Sequence, residues 1–240
     1  MITVFLLTWV FFFPPSYYYL RSPEYFPKAF RVKRLWCQVL SIFFLTRFDI
    51  QGDENLPEGG AFIACINHQS YLDIIFMYPV IPNYFKFIGK IELRNWLLIG
   101  VFFRKGMDIS VSRENAKQAR LALEEAKEAL RGGVPVAIFP EGVIPDDTPR
   151  LKRFKNGAFK IAVETNVPIL PITFIRNHKR LGHPYDPFSY AYPGKCEVVI
   201  HPVINTQGTD LMDIAPLRER VYDVINGPLV DRGLSNVSSD

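Results

Sequence analysis

Seven consecutive residues, Asn67-His68-Gln69-Ser70-Tyr71-Leu72-Asp73, place an imidazole and a carboxylate among several small polar groups. Imidazole is the side chain whose ordinary pKa suits proton transfer near neutrality. A carboxylate bonded to one ring nitrogen fixes its tautomer and stabilises the imidazolium that forms. Five residues along a regular helix turn through about 500°, which leaves the two side chains about 140° apart. His68 and Asp73 can therefore meet only if His68 precedes a helix whose first turn holds Asp73. Taken alone, the spacing also fits a helix-capping His and a first-turn Asp with no catalytic role. Ser70 raises a second chemistry, hydrolysis with Ser70 as nucleophile, but the G-x-S-x-G elbow is absent and a Ser two residues from its own base reaches it poorly. Cys65 falls on an apolar run and reads as a small core side chain rather than a thiolate nucleophile.

Two further groups could bind substrate. Arg113, with Arg104 and Lys105 upstream, could clamp a phosphate; the plainer reading is a solvated basic face. Phe139-Pro140-Glu141-Gly142 follows an apolar run at what would be a strand's carboxyl end, the usual place for a site in an open α/β sheet. Glu141 could accept bonds from a substrate hydroxyl or hold a basic group, and Gly142 would let the backbone approach closely. A turn with an exposed Glu is the alternative.

The elements that must position these residues follow from the apolar pattern. Strands are expected at 48–51, 61–66, 84–88, 107–111, 134–139, 168–174 and 196–200, and helices at 72–78, 92–103, 112–131 with Ser112 as N-cap, around 159–163, and at 214–225. His68 then sits at a strand-to-helix junction. Strands that are apolar throughout and alternate with helices predict an α/β fold, a mixed and largely parallel sheet covered by helices on both faces. Residues 176–194 read as a long surface loop.

The N-terminal segment differs. Ile2 to Leu20 carries no charge, and Pro14-Pro15 interrupts its apolar part. Twelve helical residues reach about 18 Å against a hydrocarbon core of roughly 30 Å. Either 2–20 forms one kinked spanning helix, or it makes half of a hairpin with the apolar segment 35–46 that dips into one leaflet. Tyr17, Tyr18, Tyr19, Lys28, Arg31 and Lys33 between them suit the headgroup level. A cleaved signal peptide is disfavoured, because no basic region precedes the apolar run and no small-residue cleavage site follows. The division expected is a membrane-anchoring helical hairpin over 1–47 and an α/β domain over 48–240, monotopic, with the α/β domain facing the cytoplasm. A net charge of +4 fits a phosphate ester or lipid headgroups and is too weak for nucleic acid. The three cysteines, Cys37, Cys65 and Cys196, show neither a disulfide framework nor metal-ligand spacing.

Together these stretches resemble the glycerolipid acyltransferases typified by 1-acylglycerol-3-phosphate O-acyltransferase. Residues 67–73 are similar to the first motif of that family, Lys90-Ile91-Glu92-Leu93 with Gly100 to Arg113 to the second, Phe139-Pro140-Glu141-Gly142 to the third, and Val167-Pro168-Ile169-Leu170-Pro171 to the fourth. Lys155-Asn156-Gly157-Ala158 resembles a segment that follows the third. The resemblance covers roughly 48–205. It implies that His68 is the general base on the acceptor hydroxyl, that Asp73 orients it, and that the hydroxyl attacks an acyl thioester of acyl carrier protein or coenzyme A directly. No metal and no bound cofactor are then required. Arg113, Glu141 and Gly142 would bind the phosphorylated end of a lysophospholipid acceptor, Pro171 would pack near the site, and Asn67 and Ser70 would shape the turn. Members continue the third motif with Thr and then Arg or Ser, whereas here Gly142 is followed by Val143-Ile144-Pro145. Another lyso-lipid, such as a lyso-aminolipid, is therefore the alternative acceptor, with Arg150, Lys152 and Arg153 available to replace the charge. A thioesterase and a non-catalytic lipid-binding module are the remaining readings.

Overall fold

The computed structural model describes residues 2–112, 114–181, 186 and 189–236. Seven strands form one sheet: β1 (Thr46–Gln51), β2 (Ile63–Ile66), β3 (Lys86–Lys90), β4 (Ile109–Val111), β5 (Val136–Ile138), β6 (Ile169–Ile175) and β7 (Gly194–Ile200). Their order across the sheet is β1-β7-β6-β2-β5-β3-β4. The five strands from β6 to β4 run parallel, and β6 pairs antiparallel with β7, which runs with β1. Crossover helices force that parallel arrangement: α3 (Leu72–Val80) links β2 to β3, α4 (Gly100–Arg104) links β3 to β4, α5 (Ala116–Arg131) links β4 to β5 and α6 (Gly157–Thr165) links β5 to β6. With α7 (Ile214–Val230), α5 and α6 cover one face, packing on Ile63, Cys65, Val136 and Ile169. Alternate residues of the same strands, Ala64, Ile66, Ala137 and Leu170, face the other layer. Both faces are apolar because both are covered, so the sheet is of the mixed, largely parallel kind the sequence predicts.

Each strand begins one or two residues from its expected start, and two helices of the domain depart further. The helix predicted over 92–103 is a short 3-10 turn, Ile91–Asn95, then a bend, then α4. A side chain at Gly100 would come within 2.3 Å of the Arg94 carbonyl, so the chain folds back on itself there. For α5 the N-cap is Asn115, not Ser112: the Asn115 side chain accepts from the Gln118 N–H at 3.1 Å, and the Ser112 hydroxyl accepts from the Asn115 N–H.

The N-terminal pair, α1 (Ile2–Tyr19) and α2 (Phe26–Phe43), packs on the sheet face shared with α3 and α4. α2 begins well before the apolar segment at 35–46 because its buried stripe, Phe26, Phe30, Lys33, Trp36, Cys37 and Leu40, recurs at helical spacing. Phe30 meets the rings of Tyr78 and Phe85 at 5.7 and 5.1 Å. α1 lies over α2 through Trp9 and Trp36, 4.5 Å apart. Its outer side leaves Leu7, Val10 and Phe11 exposed, Phe11 at 78 %. No helix among the described residues is long and apolar enough to cross a membrane.

Lys33 corrects the expectation of a headgroup-level cation. It is 5 % exposed and paired with buried Asp108, and its ammonium lies over the Tyr78 and Phe102 rings at 4.4 and 4.3 Å. Asp108 also accepts from the Phe87 N–H of β3 at 3.2 Å. Arg34 donates to the Tyr78 carbonyl at the end of α3. α2 thus grips both the helix that carries Asp73 and the strand that borders the site.

Candidate active site

β2 is the middle of the three strands whose carboxyl ends build the site, with β6 on one side and β5 on the other. The chain leaves β2 at Ile66 and enters α3 at Leu72, so Asp73 lies in the first helical turn and His68 before it. His68 Nδ1 is 2.9 Å from Asp73 Oδ2. That oxygen also accepts the backbone N–H groups of Gln69 at 2.5 Å and Ser70 at 2.8 Å. The unpaired N–H groups at a helix start favour a carboxylate here. With Nδ1–H donated to Asp73, the lone pair of the imidazole is on Nε2, and His68 borders a cavity.

Each flanking strand holds this turn. From β6, the Asn67 side-chain amide donates to the Phe174 carbonyl at 2.9 Å and accepts from its N–H at 2.7 Å, pairing with backbone as a strand would. From the loop after β5, Phe139 stacks on the His68 ring with centroids 4.0 Å apart and planes 8° from parallel. Glu141 Oε1 accepts from the His68 N–H at 2.7 Å, and Oε2 from the Lys152 N–H at 2.8 Å. Glu141 is 1 % exposed, so its carboxylate binds the backbone under the imidazole and the chain that returns at Lys152. The geometry also separates Ser70 from a nucleophile's position: its hydroxyl is buried and accepts from the Leu72 N–H at 3.2 Å. Cys65 is buried within β2, which pushes its thiol pKa up. Pro171 is buried in β6 opposite Cys65.

Burial pushes the Glu141 carboxyl up from its ordinary 4.5 to about 8, against the pull of its two N–H donors and with the Asp73 charge adding to the rise. The folded protein then holds a proton that the unfolded chain has released over that window, so this group's contribution to stability falls as pH rises from 4.5 to about 8. The slope is at most about 1.4 kcal/mol per pH unit. Urea unfolding of wild type and Glu141→Gln across that range should show wild type losing ground steadily as pH rises; a pH-independent difference would contradict the assignment.

The cavity has a volume of about 690 Å³, within the range of small-molecule sites. Its lining divides by chemistry: Tyr71, Ile74, Leu93 and Trp96 are apolar or aromatic, while Lys90, Lys152 and Lys155 supply ammonium groups. Gly142 has φ +73°, and a Cβ there would lie 3.0 Å from the Lys155 Nζ, so the glycine leaves room for that ammonium. Val143 and Ile144 also border the cavity, as do Glu92 and Asp146. Of the cations expected to replace the third motif's charge, Lys152 lies on the cavity wall and Arg150 and Arg153 do not. Arg113 lies outside the described residues.

The residue that sequence reasoning missed is Asn177, whose Nδ2 donates to Asp73 Oδ1 at 2.9 Å from across 104 positions. One signal could have found it: like His68 and Glu141, it follows the carboxyl end of a central parallel strand.

A family model described as Acyltransferase matches residues 47–175, more than half of the chain. The chain belongs to that acyltransferase family. Among its relatives are the chloroplastic 1-acyl-sn-glycerol-3-phosphate acyltransferase BAT2 of Brassica napus, 33% identical over 75% of this chain and 52% of the relative, and the alpha form of Mus musculus, 30% identical over 73% and 61%. This acyltransferase chain spans about half the length of the plant relatives it matches. The crystal structure of the 1-acyl-sn-glycerophosphate acyltransferase PlsC from Thermotoga maritima resembles it with a TM-score of 0.73 at 25% identity, covering 98% of both chains.

Proposed function

We propose that this acyltransferase moves a fatty acyl group from an acyl carrier protein or coenzyme A thioester to the free hydroxyl of a lysophospholipid, 1-acylglycerol-3-phosphate in the first instance. The observation that carries the reading is the His68–Asp73 pair bordering a cavity whose wall is apolar in one part and lysine-bearing in another. Such a lining suits a molecule with a chain and a phosphate. His68 Nε2 takes the hydroxyl proton as the oxygen attacks the thioester carbonyl. The C–S bond then breaks, and the imidazolium returns the proton to the leaving thiolate. Asp73 stabilises the imidazolium between these steps. Lys90, Lys152 and Lys155 bind the phosphate, with Arg113 and the backbone at Gly142 as further contacts. The relatives' names favour the same acceptor.

The exposed apolar side of α1, with Ile42, Phe43 and Leu45 at the end of α2, supports membrane association through the N-terminal hairpin. Because α2 is part of the core, the hairpin is best tested by surface changes rather than by deletion.

A vesicle assay tests both parts. Purified protein with vesicles carrying 1-acylglycerol-3-phosphate should form phosphatidic acid from either donor; exclusive acylation of a lyso-aminolipid would overturn the acceptor assignment. Changing Leu7, Val10 and Phe11 together to Ser should weaken vesicle binding more than about tenfold, since each large apolar side chain contributes roughly 1.5–3 kcal/mol on burial. Unchanged binding would remove the hairpin from the account.

A further inference from the structure

The carboxylate of Asp73 is 0 % exposed, and its two oxygens are held from different parts of the chain. Oδ2 takes its three bonds locally, from His68, Gln69 and Ser70. Oδ1 takes one, from the amide of Asn177. Among the described residues no other donor reaches Oδ1. A buried carboxylate that lacks a partner on one oxygen is costly to ionise, and it is free to rotate away from the imidazole.

The segment that carries Asn177 is fixed more firmly than a surface loop requires. Arg176, at the end of β6, adopts a left-handed conformation with φ +61°, unusual for a residue with a side chain, and this turns the chain back toward α3. Buried Arg180 then closes the turn, donating to the carbonyls of Tyr192 at 2.8 Å and Gly194 at 2.7 Å and to the Thr46 hydroxyl at 3.0 Å. Asn177 is itself 0 % exposed, and it does not border the cavity. Its amide can therefore touch the carboxylate without touching substrate.

We infer that Asn177 is a positioning residue for acyl transfer, acting through Asp73: by donating to Oδ1 it keeps the carboxylate oriented so that Oδ2 faces the Nδ1 of His68. The inference rests on the reading of His68 as general base. The Arg176–Arg180 turn, braced against β1 and β7, thereby sets the aim of the base from the far side of α3.

The titratable groups that face Asp73 are His68 on its own turn, Glu141 from the loop after β5, His178 beside Asn177 and Cys196 on β7. Burial lowers the pKa of His178 and raises that of Cys196, so both are uncharged near neutrality. The test is the steady-state kinetics of Asn177→Ala in the full chain, with kcat and acceptor KM measured separately and His68→Ala assayed alongside. The expected result is a kcat lowered about 10-fold to 100-fold with an unchanged acceptor KM, because the amide touches the carboxylate and not the cavity. A normal kcat or a raised KM would overturn the role, provided His68→Ala is inactive; an active His68→Ala would instead remove the reading beneath it. Should the alanine variant fail to fold, Asn177→Ser, too short to bridge to Oδ1, is measured for the same two quantities.

Discussion

Replacing His68 with alanine is expected to lower kcat for acyl transfer by about 10²–10⁴-fold, the usual worth of a positioned general base, with the folded structure intact. The imidazole is held by one side-chain bond to Asp73 and by stacking on Phe139, while the backbone bond to Glu141 comes from the main-chain N–H. Alanine retains that N–H, and the Asp73 carboxylate keeps its bonds from Gln69, Ser70 and Asn177. The missing ring opens space beside a cavity that already exists. Kinetics and a urea unfolding curve on the same preparation separate the two effects. A variant within a few-fold of wild-type turnover would end the role assigned to His68.

The second large effect is on stability. Lys33→Ala should destabilise the protein by about 3–5 kcal/mol, because it leaves Asp108 ionised and unpaired in the core. Asp108 has one other bond, from the Phe87 N–H, which does not replace an ammonium. Changing both partners, Lys33→Met with Asp108→Leu, should recover most of the loss, since apolar replacement of a buried pair is often neutral. Urea unfolding of the two single variants and the double variant gives the answer. A loss below about 1 kcal/mol for Lys33→Ala would mean that water reaches the pair, as it does in exposed ion pairs. The effect reaches function through α2, which contacts α3 at Tyr78 and, through Asp108, the β3 strand that borders the cavity.

The strands were legible because a two-sided covered sheet needs continuous apolar runs, and 61–66, 134–139 and 168–174 are short, largely apolar runs of strand length. The same logic placed His68 before a helix and Asp73 within it, since five residues on one helix cannot converge. Contacts that join distant positions were beyond reach. Nothing local to Asn177 marks it as the partner of Asp73, and Lys33 reads as a snorkelling cation until Asp108 is seen 75 positions away. Glu141 was read for substrate, by its place at a strand end. Its observed bonds run inward, to the backbone of His68 and Lys152, a direction that spacing does not encode.

In the proposed reaction an acceptor hydroxyl, deprotonated by His68, attacks the thioester directly. Product analysis by mass spectrometry, with acyl-coenzyme A supplied in the presence and absence of 1-acylglycerol-3-phosphate, tests it in one measurement. Direct attack predicts phosphatidic acid when the acceptor is present, and neither free fatty acid nor acylated protein when it is absent. Free fatty acid released at the full rate without acceptor, or an acyl group found on the protein, would contradict it.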